Sequence, residues 1–525
     1  MQQKNGRAHD NLGKEKMIMK RAERQQFSPE TSPALRLLAE QAFSRAAGAP
    51  HVPGNSVRLL RDARENYPAW LDTMHSARKS IHFENYIVYD DEVGRRFADV
   101  MAAKAREGVR VRIVYDWLGN LGKASRRFWR NLREAGVEVR CFNPPRLDRP
   151  FGWMNRDHRK MIAVDGHTGF VTGLCVGSMW AGYPERSIEP WRDTGIMITG
   201  PAVADIEHAF ADIWATMGDP LPEDELPDRS AIHPVGNVTL RVVASAPYTT
   251  GLFRLDQLIS SVARETLWLT DAYFVGVSPY VQALAAAARD GVDVRLLVPG
   301  TTDIPFLRAI SRAGYPPLLE AGVRIFEWNG QMLHAKTAVA DGRWARIGST
   351  NLNISSWLGN YELDVAVEDE SFARDMEEMY MEDLSRSTEI VLGRHRTACP
   401  VSKRSRPRRP VMGGSKGSMS RAGVGVMRVG NVVGAAITNR RTLEPAETKL
   451  MFGAGAVLLA LAVTAVLWPQ WLAAPFVLIS TWLALTLFLR AFRILMEHRR
   501  SRRGDGRTSG APADGGENCR EPGHR

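Results

Sequence analysis

Cysteine is scarce in this sequence, which has four thiols among its 525 residues: Cys141, Cys175, Cys399 and Cys519. They are scattered and show none of the spacings that hold a structural metal ion. We therefore interpret them as reduced thiols in a cytosolic setting. The N-terminus also lacks a long apolar run, so we expect no secretory signal peptide.

Excess basic charge is missing from most of the chain, although the net charge of the whole is +11. Residues 396–449 carry 12 Lys and Arg against 2 acidic residues, and residues 490–525 carry 9 Arg against 5. Residues 1–395 therefore sum to −3. A nuclease needs its basic patch where its chemistry takes place, so we expect no nucleic-acid partner.

Charge is absent from two apolar runs, residues 450–468 and 471–489, which Pro469 and Gln470 separate. Each run approaches the roughly 20 residues that a membrane helix requires. Arginines flank both outer ends, which predicts a transmembrane helical hairpin over residues 449–490 with both ends on the cytoplasmic side. A buried core hairpin and a re-entrant hairpin are the alternatives. The basic flanks favour contact with anionic lipid of a membrane bilayer.

Shifts in composition divide the chain into six segments. We predict a mobile N-terminal tail (1–50, with one helix from Ser32 to Ala47), a first repeat (51–230), a second repeat (231–395), a basic disordered linker (396–448), the hairpin (449–490) and a basic disordered tail (491–525).

The first and second repeats resemble each other along their length. Ala77 matches Ala263 at an offset of 186 residues, and Gly108 matches Gly291 at an offset of 183. In both repeats, strand-like runs alternate with helix-like segments that end in glycine. This indicates an α/β protein with two duplicated α/β sandwich lobes. Two repeats without a shared site are the alternative.

A pattern of His, Lys and Asp occurs once in each repeat. Its members, at equal spacing, are His158, Lys160 and Asp165 in the first repeat and His334, Lys336 and Asp341 in the second. Alternate residues of a strand project to one face, so each imidazole is expected beside an ammonium group. The two aspartates complete the candidate catalytic set, but each opens a turn with glycine, and we favour a structural role for them.

Two imidazoles and two ammonium groups suit phosphodiester chemistry. A neutral imidazole attacks phosphorus, and a protonated one opposite it protonates the leaving alkoxide. The ammonium groups neutralise charge on the phosphate oxygens. A metal site is the competing interpretation, but lysines beside the histidines disfavour a cation and no carboxylate cluster accompanies them. We therefore expect neither a metal nor another cofactor.

Each imidazole needs a partner on its second ring nitrogen to fix its tautomer. Glu362 is the candidate in the second repeat, and Asp193 occupies the comparable place in the first. A surface or structural role is the alternative for both. Ser349 and Asn351 are candidate donors to phosphate, with a polar turn as the alternative.

The second motif, H-x-K-x4-D-x6-G-S-x-N from His334 to Asn351, resembles the phospholipase D superfamily. Further matches at Gly54-Asn55, in HRK from His158 and in WRDT from Trp191 resemble bacterial cardiolipin synthases. Together they cover about residues 51–390. The resemblance implies two lobes with a shared active-site cleft and one histidine from each lobe.

The same resemblance implies a phosphohistidine intermediate formed without a metal. It assigns His158 as nucleophile and His334 as general acid, with Lys160 and Lys336 at the phosphate. The first repeat departs from the family pattern Gly-Gly-x-Asn, because Thr172 to Cys175 read Thr-Gly-Leu-Cys. Gly173 stays in the candidate phosphate-binding set, but the amide contact is lost at position 175.

The resemblance and the hairpin together predict a phosphatidyltransferase of the bacterial inner membrane, with its catalytic part on the cytoplasmic side. Its substrate is expected to be phosphatidylglycerol, two molecules of which give cardiolipin and glycerol. The alternatives are a phospholipase D hydrolase, a nuclease and an inactive lipid-binding scaffold. The sequence specifies no oligomeric state. Five aromatic residues near the motifs either line an apolar mouth or pack in the core: Trp153, Trp180, Tyr183, Trp328 and Trp357.

Overall fold

The computed structural model describes residues 33–145, 155–392 and 398–400, with isolated helical positions between Ala456 and Phe488. The predicted N-terminal helix is present from Pro33 to Ala47. Most of the predicted tails, linker and hairpin, together with Trp153, lie outside the described residues. Within the described part of the chain, no helix is both long and apolar enough to cross a membrane.

Among its described residues, the first repeat contains eight strands, most of which alternate with helices. In chain order the elements are α1 (Pro33–Ala47), β1 (Val52–Arg61), α2 (Asp62–His75), β2 (Ser80–Asn85), α3 (Glu92–Arg106), β3 (Arg110–Asp116), α4 (Arg126–Glu134), β4 (Glu138–Phe142), β5 (Arg156–Asp157), β6 (Lys160–Val164), β7 (Thr168–Thr172), α5 (Ser178–Ala181), β8 (Thr194–Thr199) and α6 (Val203–Ala215).

The second repeat follows the same order. Its elements are β9 (Val238–Ser245), α7 (Gly251–Val262), β10 (Thr266–Thr270), α8 (Ser278–Arg289), β11 (Asp293–Pro299), α9 (Pro305–Ala313), α10 (Pro316–Glu320), β12 (Arg324–Trp328), β13 (Thr337–Ala340), β14 (Trp344–Gly348), α11 (Ile354–Leu358), β15 (Asn360–Glu368), α12 (Glu370–Ser385), β16 (Ser387–Leu392) and β17 (Ala398–Pro400).

Strand order confirms the duplication. In the first sheet the order is β4-β3-β2-β6-β7-β8-β1, with β2, β3 and β4 parallel and the others antiparallel. The second sheet repeats it as β12-β11-β10-β13-β14-β15-β9, with β16 and β17 added beside β12. Helices connect the parallel strands, because a parallel pair needs a long crossover. The predicted α/β class with two duplicated lobes is therefore correct.

One hydrophobic cluster joins the two repeats. It contains Phe210 of α6 and Met376 of α12, together with inward-facing strand residues such as Val171 and Val365. Antiparallel pairing of β1 with β9 also links the sheets. Both repeats belong to one compact unit. A shared core of this kind fixes the two sheets relative to each other, because close-packed interiors resist displacement.

Short backbone pairings between the repeats position the motif histidines. In β5, Asp157 pairs in parallel with Tyr361 of β15, and the His158 amide donates to the Tyr361 carbonyl at 2.9 Å. In the second repeat, Leu333 bridges Arg192, and the His334 amide donates to the Arg192 carbonyl at 2.7 Å. Each histidine therefore lies directly beside the other repeat.

Each of the two motif aspartates lies in a turn, as the structural interpretation of the sequence predicted. Both have a positive φ, 57° at Asp165 and 51° at Asp341. The Asp165 carboxylate accepts three backbone N–H groups, from Arg78 to Ser80, at the entrance to β2. The Asp341 carboxylate does the same for Arg264 to Thr266, at the entrance to β10. These bonds commit both carboxylates to loop anchoring, which favours the structural role over a catalytic one.

Candidate active site

The two motif histidines are buried, and each is held by a carboxylate of the opposite repeat. His158 Nδ1 lies 2.9 Å from Glu362 Oε2, and His334 Nδ1 lies 2.7 Å from Asp193 Oδ2. A carboxylate only accepts, so Nδ1 carries the proton and Nε2 keeps the lone pair that a nucleophile or base needs. The sequence had placed each carboxylate with the histidine of its own repeat. The structure corrects this: the pairs are crossed.

Burial determines the charge of these groups. It lowers the pKa of His158 to about 4, with the Glu362 charge opposing the shift. Burial, reinforced by the Lys336 charge, lowers the pKa of His334 to about 3. Burial alone would raise the pKa of Asp193, but His334 and Lys336 outweigh it and the pKa is lowered. At neutral pH the imidazoles are therefore neutral beside ionised carboxylates.

Each lysine lies close to the histidine of its own motif, although the predicted strands begin only at Lys160 in β6 and at Thr337 in β13. Lys336 Nζ is 2.9 Å and 3.1 Å from the two ring nitrogens of His334. Lys160 Nζ donates to the carbonyl of His158. Burial lowers the pKa of Lys336 to about 8, which leaves most of the group protonated at pH 7. An ammonium this close to the imidazole opposes binding of a metal cation there.

Ser349 and Gly173 occupy equivalent positions and serve the two carboxylates. Ser349 Oγ donates to Glu362 Oε2 at 2.6 Å, so its hydrogen is already used by the carboxylate rather than free for phosphate. At Gly173, an added Cβ would lie 2.2 Å from Asp193 Oδ1. Glycine at this position makes room for the Asp193 carboxylate. Both residues thus position a histidine partner.

Asn351 and Cys175 occupy equivalent positions in the two repeats. The carboxamide oxygen of Asn351 is buried and has no hydrogen-bond partner among the described residues. Cys175 is 1% exposed, and burial raises the pKa of its thiol while the charges of Lys160 and Lys336 partly offset that shift. A protonated thiol is a weaker hydrogen-bond donor than an amide. The two equivalent positions therefore differ in the hydrogen-bonding groups that they offer.

Aromatic rings lie near both histidines, and Trp180 is one of the five that the sequence singled out. The Trp180 ring centroid is 5.9 Å from that of His334. Trp328 and Trp357 instead pack in the hydrophobic clusters. Sequence reasoning missed the nearer tyrosines: Tyr86 lies 4.8 Å from His158 and Tyr273 lies 5.8 Å from His334, ring to ring. Both follow the carboxyl end of a parallel strand, which is the signal that would have found them.

A buried arginine beside Asp193 was also missed. Arg192 Nε donates to both Asp383 oxygens at 2.8 Å and 3.1 Å, and its Nη1 donates to Asp62 at 3.0 Å. Asp62 and Asp193 exchange two further bonds, 2.8 Å from the Asp193 amide and 3.0 Å from the Asp62 amide. Burial would lower the Arg192 pKa, but the two carboxylates raise it. This network fixes the backbone that carries the His334 partner.

Comparison with known proteins identifies the family. The family model described as "Cardiolipin synthase, PLD-like domain" matches residues 70–214 and 255–384. Cardiolipin synthase A of Pseudomonas fluorescens SBW25 is 33% identical over 360 residues, which is 67% of this chain and 73% of that protein. This chain belongs to the cardiolipin synthase family of phospholipase D-like proteins. Its function is accordingly cardiolipin synthase-like, that of a phosphatidyltransferase of the phospholipase D type.

Other similarities agree with the cardiolipin synthase family. The cardiolipin synthase of Geobacillus sp. WCH70 is 32% identical over 354 residues, covering 67% of this chain and 70% of that one. Among solved structures, the phosphatidylserine synthase of Haemophilus influenzae aligns with a TM-score of 0.52 at 14% identity, over 66% of this chain and 91% of that one. At that identity the structural match supports the duplicated fold alone.

Proposed function

We propose that this cardiolipin synthase-like protein transfers a phosphatidyl group between two molecules of phosphatidylglycerol, giving cardiolipin and glycerol. The observation that carries the proposal is the crossed arrangement of two histidine–carboxylate pairs, in which each histidine is bonded to a carboxylate of the other repeat. Each pair holds an imidazole with Nε2 unprotonated, and the two lysines supply positive charge beside them. The names of these similar proteins point to the same lipid product.

In the first step, Nε2 of His158 attacks the phosphorus of one phosphatidylglycerol. The bond from phosphorus to the glycerol headgroup oxygen breaks, and that oxygen takes a proton from His334. Glycerol leaves, and the phosphatidyl group remains on His158. Glu362 stabilises the positive charge that develops on the imidazole, because its ionised carboxylate is bonded to Nδ1.

In the second step, a hydroxyl group of another phosphatidylglycerol attacks the same phosphorus. His334 takes the proton of that hydroxyl, the P–N bond to His158 breaks, and cardiolipin is released. Asp193 holds His334 in one tautomer through both steps. Lys160, Lys336 and Asn351 are the proposed contacts to the phosphate oxygens, whereas Ser349 and Gly173 act through the carboxylates.

Membrane attachment would favour transfer over hydrolysis. Water is present at about 55 M, so an acceptor alcohol must be held at high effective concentration at the site. We propose that residues 449–490 form a hairpin in the bacterial inner membrane and that the basic segments keep the catalytic part against anionic lipid on its cytoplasmic side. A surface rich in phosphatidylglycerol then supplies both substrates.

Two alanine variants test the shared site. His158→Ala and His334→Ala should each remove most turnover, because nucleophile and general acid are both needed. With labelled substrate, quenched wild-type enzyme should carry the phosphatidyl group on His158 alone. Near wild-type activity in either variant would contradict the proposed mechanism.

Product partition separates synthase from hydrolase. Labelled phosphatidylglycerol in bilayers should yield mainly cardiolipin, with phosphatidic acid as a minor product, measured by mass spectrometry. Added glycerol should drive cardiolipin back to phosphatidylglycerol, because the intermediate is common to both directions. Mostly phosphatidic acid, unchanged by a second lipid alcohol, would establish the hydrolase instead.

A further inference from the structure

Two loops at equivalent places in the two repeats each place a charged side chain beside a tyrosine, and the two charges have opposite sign. Lys123 follows β3, and its Nζ lies 4.8 Å from the ring centroid of Tyr89. Asp303 follows β11, and its Oδ1 accepts a hydrogen bond of 2.9 Å from the Tyr273 hydroxyl. The Asp303 charge also acts on Lys123, where it opposes the lowering of the lysine pKa by burial.

Tyr273 connects Asp303 to the reacting groups. Its ring lies 5.8 Å from the His334 ring, and Lys336 Nζ lies 5.9 Å from its centroid. Two bonds fix its backbone: its amide donates to Asp271 at 3.1 Å, and its carbonyl accepts from Asn353 at 3.1 Å. Asp303 is therefore held one tyrosine away from the proposed general acid.

A carboxylate so near a phosphate site needs a chemical reason, because it repels an anionic lipid. Carboxylates in binding sites accept hydrogen bonds from hydroxyl groups or pair with cations. Burial raises the pKa of the Asp303 carboxyl, and its hydrogen bond with Tyr273 and the charge of Lys336 oppose that shift. Hydroxyl groups suit this environment better than a cationic headgroup, because they need no further charge. A hydroxyl group can donate to the Asp303 carboxylate and accept from the Lys123 ammonium group.

We propose that Asp303, held by Tyr273, binds the free hydroxyl groups of the glycerol headgroup on the His334 side of the site. The inference rests on the proposed function, in which His334 protonates the leaving alcohol and deprotonates the attacking one. The alcohol must then lie beside His334, where Tyr273 and Asp303 are. Asp303 thereby selects a polyol over a simple alcohol in both steps.

The test compares acceptor alcohols in the full-length protein. Vesicles of phosphatidylglycerol labelled in its acyl chains are supplied with deuterated glycerol, 1-propanol or ethanolamine at equal concentration. Mass spectrometry measures the labelled phosphatidyl products, and deuterium distinguishes newly formed phosphatidylglycerol from the substrate. Asp303→Asn and Tyr273→Phe each weaken the acceptor site while keeping the shape of the side chain. Asp290→Asn, at the exposed end of α8, is the matched control.

The wild-type enzyme and Asp290→Asn should prefer glycerol to 1-propanol. In Asp303→Asn this preference should fall roughly 10-fold or more, as expected for a hydrogen bond to a charged group, while transfer to 1-propanol stays within about threefold. Tyr273→Phe should reduce the preference in the same direction but less, because the carboxylate remains.

An unchanged glycerol preference in Asp303→Asn, or a wild-type preference for ethanolamine that this variant loses, would overturn the polyol assignment. A wild-type enzyme that transfers the phosphatidyl group to none of the three alcohols would instead overturn the proposed function, and the assignment with it. An equal loss of transfer to 1-propanol and glycerol would show that Asp303 supports the fold rather than the choice of alcohol.

Discussion

At the scale of single residues, the proposed chemistry depends on the protonation states of the two motif histidines. In the free enzyme His158 and His334 are both neutral at pH 7, since burial lowers their pKa values to about 4 and about 3. A neutral His158 is ready to attack, but His334 needs a proton to act as an acid. A bound phosphodiester brings negative charge next to the imidazole, which raises its pKa. His334 should therefore take up the missing proton from solvent when the substrate binds.

We predict that substrate binding takes up close to one proton at pH 7. The measurement is calorimetry of short-chain phosphatidylglycerol binding to His158→Asn, which prevents turnover, in two buffers of different ionisation enthalpy. Adding His334→Asn should abolish the uptake. Lys336, with a pKa of about 8, accounts for no more than about a tenth of a proton at this pH. No uptake in His158→Asn would contradict the assignment of His334 as the acid.

Among the secondary-structure elements, the short backbone pairing before each histidine explains the crossing of the pairs. The pairing is β5 before His158 and an isolated bridge at Leu333 before His334. Asp157 pairs with Tyr361, and Leu333 bridges Arg192, so each motif begins beside the residue that precedes the other repeat's carboxylate. When two backbone segments pair, side chains at adjacent positions of the two segments lie close to each other. The crossing makes each half-site incomplete without both repeats.

The C-terminal apolar segment is the element on which the proposed membrane attachment rests. A chain ending after Pro400, which keeps β17, should be washed from membranes far more easily than the full chain. The reason is the loss of two apolar runs, each buried methylene of which contributes about 0.8 kcal/mol. The truncated enzyme should keep its activity on detergent-dispersed lipid.

A deletion of residues 491–525 alone is the control and should remain membrane-bound. The readout is the fraction of enzyme in the pellet after an alkaline wash. If the chain ending after Pro400 sedimented as the full chain does, the segment would not be the anchor. A reporter fused at residue 525 and found outside the cytoplasm would refute the proposed topology.

For the whole molecule, the two repeats are held together by a shared core and by ion pairs across their boundary. Two such pairs involve consecutive residues of α12. Arg192 and Asp383 are buried, with side chains 8% and 9% exposed at 2.8 Å. Arg61 and Glu382 are 2.7 Å apart but 37% and 56% exposed. The neighbouring positions allow a matched comparison of buried and exposed pairs.

Asp383→Ala should lower the free energy of unfolding by about 3–5 kcal/mol, because it leaves the buried Arg192 guanidinium with less compensating charge. Glu382→Ala should cost less than about 1 kcal/mol, since solvent screens the exposed pair. Urea unfolding of the full-length protein in detergent measures both. Equal losses in the two variants would show that burial does not set the strength of these pairs.

The sequence by itself determined the duplicated α/β fold, because hydrophobic periodicity and repeated landmarks are local properties of the chain. It also predicted that each histidine pairs with the lysine two residues later, although β6 and β13 begin after the histidines. The structural role of Asp165 and Asp341 was readable for the same reason: the turn that each one folds lies within the motif.

The tertiary structure alone decided which carboxylate serves which histidine. His158 and Glu362 are 204 residues apart, and nothing in spacing distinguishes the crossed pairing from pairing within a repeat. It also decided that Ser349 donates to Glu362, and that Trp328 packs in the core while Tyr273 lies by His334. These outcomes depend on how two sheets pack against one another, and a contact between distant segments leaves no periodic signal in the sequence of either.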